Sequence, residues 1–295
     1  MSSAVLVISR SRPADFLELT KPRLTAMVLM TTAAGFVLGA TGAIDGWLLA
    51  RTLLGTALVA AGAAALNQYL ERDVDALMHR TMRRPLPSGR VTPSDTLAFG
   101  VLLCVAGVLA LAAGAGLLAA LLAIVSVVSY LACYTPMKRR TSLCTLVGGI
   151  PGGLPPMIGW AAARGTVNAD AWVLFAILFL WQQPHFLAIA WLYREDYARA
   201  GLPMLSVVDD GGAGTGRQAL LYALALVPVS LLPVLHGQAT LMYVPGALAL
   251  GAAFCVGSAA LARRRSRVAA RWLFAASLVY LPALLACWML NKPAL

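Results

Sequence analysis

Charged residues are scarce in this chain of 295 residues. They make up 12% of the sequence, well below the ~25% that is typical of soluble domains, whereas hydrophobic residues make up 60%. The mean hydropathy is +0.79. Because so few charged side chains cannot cover the surface of a soluble domain of this size, the composition indicates an integral membrane protein.

Cysteine pairs of the CxxC type are absent from the sequence. The five cysteines are spread along the chain, mostly within apolar runs, at Cys104, Cys133, Cys144, Cys255 and Cys287. Cysteines in apolar runs usually behave as small buried side chains. The sequence therefore favours buried thiols over a disulfide framework or a cysteine metal site.

Long apolar runs, by contrast, recur along the whole chain. A helix needs about 20 residues to cross a ~30 Å hydrocarbon core, and helices are the spanning form that such runs permit. The sequence predicts spans at 24–43, 52–70, 96–114, 116–134, 144–162, 171–192, 219–235, 240–261 and 272–290. We expect an all-α polytopic membrane protein, a bundle of about nine transmembrane helices with a central cavity open toward the cytoplasmic side.

The basic residues predict the orientation of this bundle. Lys and Arg outnumber Asp and Glu by 23 to 12, and nine spans place all of the basic residues on one side except Arg51, Arg164 and Lys292. By the positive-inside rule the rich side is cytoplasmic, so the N-terminus is inside and the C-terminus outside a bacterial cytoplasmic (inner) membrane. This bias accounts for most of the net charge of +11. We therefore expect the lipid bilayer as a partner and no nucleic acid.

The same pattern divides the chain into two parts. Residues 1–23 are predicted to form a cytoplasmic N-terminal segment, and residues 24–291 a single transmembrane domain.

The stretch "NQYLERDVDALMHRTMRRPLPSGR", Asn67 to Arg90, places acids and arginines at the end of the second span. On a helix, Asn67, Glu71 and Asp75 share one face over ~12 Å. Carboxylate and amide oxygens suit Mg²⁺, which completes its shell with water and phosphate. The arginines that follow offer fork-shaped donors to phosphate oxygens, although they also fit a loop that only sets topology and pairs with the acids.

A second polar cluster lies in "WQQPHFLAIAWLYREDY". Gln182 and His185 fall inside the sixth span, and Glu195 and Asp196 at its cytoplasmic end. His185 and Asp196 are eleven residues apart, so on a continuous helix they share a face and lie ~16 Å apart. The alternative is that the histidine and its glutamines only form hydrogen bonds between helices.

The first motif resembles that of the UbiA-type intramembrane prenyltransferases, N-D-x-x-D-x-x-x-D followed by R-T-x-x-R-P-L-x-x-G. The matching positions are Asn67, Asp75, Arg80, Thr81, Arg84, Pro85, Leu86 and Gly89. Gln68 and Glu71 depart from the general pattern. Together with "YTPMKRRTSLCTLVGGIPGGLPPMIGW" and "WQQPHFLAIAWLYREDY", these departures resemble one branch of the family, the protoheme IX farnesyltransferases or heme O synthases.

This resemblance implies transfer of a farnesyl group from farnesyl diphosphate to a vinyl carbon of heme b, with Mg²⁺ as cofactor. A heme A synthase or a terminal oxidase assembly is a possible partner. The implied catalytic residues are Asn67, Glu71, Asp75 and Asp196. The implied metal ligands are Asn67, Glu71, Asp75, Glu195 and Asp196, where Glu195 replaces a second acid because the family position holds Ala200.

Other polar residues near the same boundary are candidates for contact with diphosphate or heme. They are Arg80, Arg84, Lys138, Arg139, Gln182, His185 and Arg194. A topological role for the basic residues among them stays open. The run "GGIPGGLPP", 148–156, either packs helices closely or gives a flat macrocycle access to the backbone.

The sequence leaves two alternative functions open. Prenyl transfer to an aromatic acceptor such as 4-hydroxybenzoate would favour a complete D-x-x-x-D second motif, which Ala200 interrupts. A secondary transporter would explain polar residues within broken helices. Transport requires a pathway to both faces, whereas the polar residues collect at one boundary.

Overall fold

The computed structural model describes residues 12–293, and within that range the regular structure is helical. The α-helices are α1 Arg12–Leu19, α2 Pro22–Gly39, α3 Gly46–Asp75, α4 Pro93–Gly114, α5 Leu117–Val128, α6 Thr135–Met137, α7 Cys144–Arg164, α8 Ala169–Leu192, α9 Arg194–Arg199, α10 Leu205–Val208, α11 Ala213–Leu235, α12 Tyr243–Arg264 and α13 Arg267–Leu290. A π-helical segment, Ser129–Tyr134, joins α5 to α6.

Eight helical segments of residues 12–293 are long and apolar enough to span a membrane. The remaining predicted span, 144–162, is α7, which has 21 residues but a composition rich in Gly and Pro that lowers its hydropathy. Most of α7 is buried among the other helices, so it needs less lipid-compatible surface. The all-α bundle expected from the sequence is confirmed.

Helix ends follow local capping rules. Asp45 caps α3 by accepting hydrogen bonds from the backbone N–H groups of Trp47 and Leu48, both at 2.9 Å. Asn168 caps α8 by accepting from the N–H of Ala171, at 3.3 Å. Such caps satisfy donors that the first helical turn leaves free, so short polar residues fix where these spans begin.

Helices α2 and α7 pack with their backbones in close contact. A Cβ atom at Gly35 would lie 2.0 Å from the carbonyl oxygen of Pro156, and one at Gly159 would lie 1.9 Å from that of Thr32. A Cβ at Gly152 would likewise lie 1.8 Å from Oε1 of Gln182 on α8. These glycines are needed for helix packing, which favours that interpretation of the "GGIPGGLPP" run.

Large apolar side chains are exposed around the bundle, as expected of helices that face lipid. Leu102 and Leu109 on α4, Val256 on α12 and Trp272 on α13 are each more than 60% exposed. Trp160, Trp288 and other large side chains are fully buried inside. The last described residues return to the second helix, because Nζ of Lys292 donates to the carbonyl oxygen of Val37 near the end of α2, at 2.9 Å. Residues 1–11 of the predicted N-terminal segment lie outside the described range.

Candidate active site

One face of α3 carries both halves of the candidate site. Thr56, Ala60 and Ala63 line a cavity of about 330 Å³. Its wall comes from α2, α3, α5, the π-helical segment, α7, α8 and α13 and is mostly apolar. Continuing along α3 in steps of three or four residues, the same face presents Asn67 and then Glu71. An apolar chamber therefore leads directly to a polar cluster.

Asn67 is fully buried, and both polar atoms of its side-chain amide form hydrogen bonds. Its Oδ1 accepts a hydrogen bond from Nζ of Lys21 at 3.0 Å, and its Nδ2 donates to Oγ1 of Thr135 at 3.2 Å. Lys21 immediately precedes α2 and has a left-handed backbone (φ 47°). Burial, followed by the charge of Arg84, lowers the pKa of Lys21 to about 7, against the opposing effect of Glu71. Lys21 is therefore a residue of this cluster that the helical spacing of the sequence did not predict.

Glu71 forms an ion pair with Lys138, whose Nζ lies 2.7 Å from Oε1. The ammonium group also lies over the ring of Tyr134, 4.5 Å from its centroid. Burial alone would lower the pKa of Lys138, but Tyr134 and Glu71 together raise it well above its ordinary value. Since Tyr134 lines the cavity, Lys138 connects the cavity wall with the acidic face of α3.

Asp75, at the end of α3, is 1% exposed and pairs with Arg84. Nη1 of Arg84 donates to its Oδ2 at 2.7 Å, and the hydroxyl of Thr81 donates to its backbone carbonyl at 2.8 Å. Its second oxygen, Oδ1, is buried and has no hydrogen-bond partner among the described residues. A buried carboxylate oxygen without a donor is costly, so this atom is a candidate ligand for a cation.

The loop that follows α3 is held in place by Asp196, which belongs to the second acidic region, Glu195 and Asp196. Asp196 accepts hydrogen bonds from the backbone N–H groups of His79 and Arg80, each at 3.2 Å, and from Nη1 of Arg199 at 2.7 Å. Burial opposes the charge of Asp196, but these donors prevail and its pKa is lowered. Arg80 also covers the ring of Tyr193, with 4.7 Å from its guanidinium carbon to the centroid. In this arrangement Asp196 shapes the loop that carries Arg80 and Arg84.

The sequence predicted that His185 and Asp196 share one helical face, which requires a continuous helix between them, and this prediction was wrong. Helix α8 ends at Leu192, and Tyr193 has a non-helical conformation (φ −113°, ψ 22°) before α9 begins. The shared helical face therefore does not exist between these two residues.

Three predicted site residues lie at the exposed surface instead of in the cluster. Glu195 is 70% exposed and faces Arg267, 3.5 Å away. Arg139 pairs with the exposed Asp73, its Nη2 lying 2.6 Å from Oδ1. Arg194 lies over the ring of Trp191 at 4.8 Å. Arg139 lies in the turn after α6, and Arg194 and Glu195 lie at the start of α9, so none of them belongs to the α3 face.

Two polar residues of α8 do line the cavity, as the motif suggested. Gln182 is buried and donates from Nε2 to the carbonyl of Gly149 at 3.0 Å. His185 contacts α13 through a 2.7 Å hydrogen bond between Nδ1 and the hydroxyl of Ser277. Gln182 and His185 therefore both line the cavity and form hydrogen bonds between helices, which was the alternative interpretation of this motif.

The donor set of the α3 face fits a hard divalent cation. Within residues 12–293 no group of three or more His, Cys, Asp or Glu side chains converges as an all-protein cage would require. Mg²⁺ does not need such a cage, because it commonly uses one or two carboxylates with water and substrate phosphate. Glu71, Asp75 and the amide oxygen of Asn67 supply that kind of oxygen set, and Oδ1 of Asp75 is unpartnered.

A fold and site of this kind define a membrane-embedded enzyme that acts on a ligand with an apolar body and an anionic head. The chain matches the UbiA prenyltransferase family over residues 28–291 and belongs to that family. It is accordingly an integral, multi-pass membrane prenyltransferase.

Named relatives align along almost the whole chain. A protoheme IX farnesyltransferase of Solibacter usitatus is 49% identical over 291 residues, covering 95% of this chain and 99% of its own. A protoheme IX farnesyltransferase of Opitutus terrae is 42% identical over 285 residues, covering 96% of each.

Solved structures support the fold. A digeranylgeranylglyceryl phosphate synthase structure superposes with a TM-score of 0.78 at 16% identity, covering 94% of this chain and 97% of that one. A UbiA homolog from Archaeoglobus fulgidus bound to GPP and Mg²⁺ superposes with a TM-score of 0.68 at 15% identity, covering 92% and 99%.

Proposed function

We propose that the chain transfers the farnesyl group of farnesyl diphosphate to a vinyl carbon of heme b, giving heme O. The observation that carries this proposal is the continuous α3 face, which joins an apolar cavity to the Asn67, Glu71 and Asp75 cluster. The specific substrates are supported by the relatives named protoheme IX farnesyltransferase, which are 49% and 42% identical in sequence to this chain.

The apolar cavity suits the farnesyl chain and the reaction it undergoes. Breaking the allylic C–O bond leaves a cation that water would capture, so the chamber has to exclude water until the vinyl group attacks. The attack forms the new C–C bond and leaves a cation on the vinyl carbon next to the porphyrin ring, and a water molecule then adds there with loss of a proton to solvent, which gives the hydroxyl group of heme O. The wall residues from α2, α3, α7 and α13 are predominantly apolar, including Val28, Val59, Ile158 and Leu281. In this proposal they enclose the chain and shield the allylic carbon.

The cations of the cluster suit the diphosphate. Lys21, Arg84 and Lys138 are held beside the acidic face by contacts of 2.7 to 3.0 Å. Each can exchange a carboxylate or amide partner for a phosphate oxygen, because both are acceptors of charged hydrogen bonds. Positive groups fixed at this position stabilise the negative charge that grows on the leaving diphosphate.

Mg²⁺ is the proposed cofactor, held by Asn67, Glu71 and Asp75. When bound there, it would supply Lewis-acid stabilisation of the diphosphate leaving group. Asp196 contributes by a different route in this proposal, since it orders the loop that positions Arg80 and Arg84.

The proposed setting is the bacterial cytoplasmic membrane, with the α3 cluster on the cytoplasmic side. The positive-inside distribution of Lys and Arg supports this orientation, with the N-terminus inside and the C-terminus outside. A heme A synthase or terminal oxidase assembly is the proposed acceptor of the product.

The test is mass spectrometry of hemes extracted from membranes that contain the chain, farnesyl diphosphate and Mg²⁺. Heme O is expected with the native chain and not with Asp75→Asn. Asp73→Asn is the matched control, because it makes the same change on the same helix at an exposed residue that pairs with Arg139. Prenylated 4-hydroxybenzoate in place of heme O would move the acceptor to the aromatic class.

A further inference from the structure

The hydrogen bonds around His185 fix which of its ring nitrogens carries a proton. The hydroxyl of Ser277 donates to the carbonyl oxygen of Phe274 at 2.5 Å, and a serine hydroxyl has a single proton to give. In the 2.7 Å contact with His185, Ser277 must therefore accept, and Nδ1 of the imidazole must donate. In the neutral ring Nε2 then carries the lone pair.

The ring is held in one orientation by aromatic neighbours. Its centroid lies 5.2 Å from that of Trp181, nearly parallel at 25°, and 5.1 Å from that of Phe274. Phe186 contacts it edge-on at 5.6 Å. With Nδ1 tied to α13 and the ring clamped in this way, the imidazole is preorganised before any ligand arrives.

The available nitrogen belongs to a residue of the cavity wall. His185 lines the 330 Å³ cavity, and no hydrogen bond within residues 12–293 engages its Nε2. The other two histidines lie elsewhere: His236 pairs through Nδ1 with Asp170 at 2.8 Å, and the backbone of His79 donates to Asp196. Of the histidines, His185 alone lines that cavity.

An imidazole that donates Nδ1–H to a protein oxygen, has no hydrogen bond at Nε2 and lies in a cavity wall has the form of a metal-ligating histidine. Such residues almost always donate their other ring nitrogen to an oxygen partner, which fixes the tautomer and the ring plane. An imidazole is also a common axial ligand of heme iron. Building on the proposed function, we infer that Nε2 of His185 coordinates the iron of the heme acceptor and so orients the macrocycle in the cavity.

The role of the neighbouring serine follows from the same geometry. Ser277→Ala removes the acceptor of the Nδ1 proton but leaves Nε2 in place. Loss of such an outer partner typically weakens metal binding by about tenfold or more. His185 is thus the proposed ligand, and Ser277 its positioning residue.

The experiment is electron paramagnetic resonance of the ferrous nitrosyl heme complex of the full-length enzyme, prepared without farnesyl diphosphate. An imidazole trans to nitric oxide adds its own nitrogen splitting to the spectrum. Native enzyme and His236→Ala are expected to show this splitting, and His185→Ala to lose it. In His185→Gly, added ¹⁵N-imidazole is expected to restore a splitting with the ¹⁵N pattern.

Metal-free protoporphyrin IX separates iron coordination from packing. Its affinity for His185→Ala should stay within about twofold of native, since only the iron contact is lost, whereas heme affinity should fall by tenfold or more. Equal losses for the two porphyrins would overturn the inference.

Two further outcomes separate this inference from the proposed function. If His185→Ala keeps the imidazole splitting, or if native enzyme lacks it while still producing heme O, the iron contact is refuted and the function stands. If native enzyme neither binds heme nor forms heme O, the proposed function fails and the inference fails with it.

Discussion

The two acidic regions of the molecule look alike in sequence but occupy different environments. Asp75 is buried and Glu71 half-buried on one face of α3, and they are paired with Arg84 and Lys138 respectively. In the second region, Asp196 binds the backbone of the loop after α3, and Glu195 is exposed. In the proposed function the first region therefore holds the metal and the diphosphate, whereas Asp196 orders the loop that carries Arg80 and Arg84.

The largest expected effect is at the first region. Glu71→Gln and Asp75→Asn each remove a ligand charge with little change of volume, so heme O formation should fall by about a hundredfold or more while the protein still inserts. Initial rates in proteoliposomes, normalised to the inserted protein, measure this. Near-native rates in both variants would remove the first region from the mechanism.

Asp196→Asn should have a smaller effect that comes through the loop. An amide cannot accept from both backbone N–H groups and also pair with Arg199, so stability is expected to fall by about 1–3 kcal/mol. Activity should fall by about tenfold, with a loss of affinity for the diphosphate because Arg80 and Arg84 are less well placed. Michaelis constants and denaturation midpoints measure the two effects. A loss as large as that of Asp75→Asn, with unchanged stability, would make Asp196 a direct ligand.

The stabilising contribution of Asp196 should depend on pH in one direction. Because folding lowers its pKa, its stabilisation is fully present above the unfolded-state pKa and is lost as the pH falls through the folded-state value. The difference in melting temperature between native protein and Asp196→Asn should therefore be constant from pH 7 to about 5 and shrink below about pH 4. A difference that grows with acidification would contradict the assignment of these hydrogen bonds.

The smallest effect is expected at Glu195. Its contact with Arg267 is exposed and 3.5 Å long, and such pairs contribute about 0–1 kcal/mol. Glu195→Gln should keep activity and the Mg²⁺ requirement within about twofold of native, as measured by titration of the rate with Mg²⁺. A tenfold rise in the Mg²⁺ requirement would restore the role that the sequence assigned to Glu195.

The α3 face was predictable because one helix contains it. Asn67, Glu71 and Asp75 follow a four-residue period, and α3 extends through all of them. Within residues 12–293, eight of the predicted spans also followed from apolar length, and the ninth corresponds to the buried helix α7. Periodicity within a single helix reports which side chains share a face, without knowledge of the neighbouring helices.

The partners of this face could not be read from spacing. Lys21 and Lys138 meet Asn67 and Glu71 across 46 and 67 positions of sequence, and such contacts depend on which helices pack together. The prediction for the second region failed for a local reason. Because α8 ends at Leu192, the three helical turns assumed between His185 and Asp196 are not continuous. The tautomer of His185 likewise depends on Ser277, 92 residues away.

The proposal that Glu71 and Asp75 hold a metal diphosphate is the one on which the assigned function depends most. Its most direct test is Mn²⁺ binding, followed by electron paramagnetic resonance, in the presence of a non-ionisable farnesyl diphosphate analogue. Native enzyme, Asp73→Asn and Glu195→Gln should bind Mn²⁺ with the analogue, and the Glu71→Gln/Asp75→Asn double variant should not. Native-like Mn²⁺ affinity in the double variant would contradict the account.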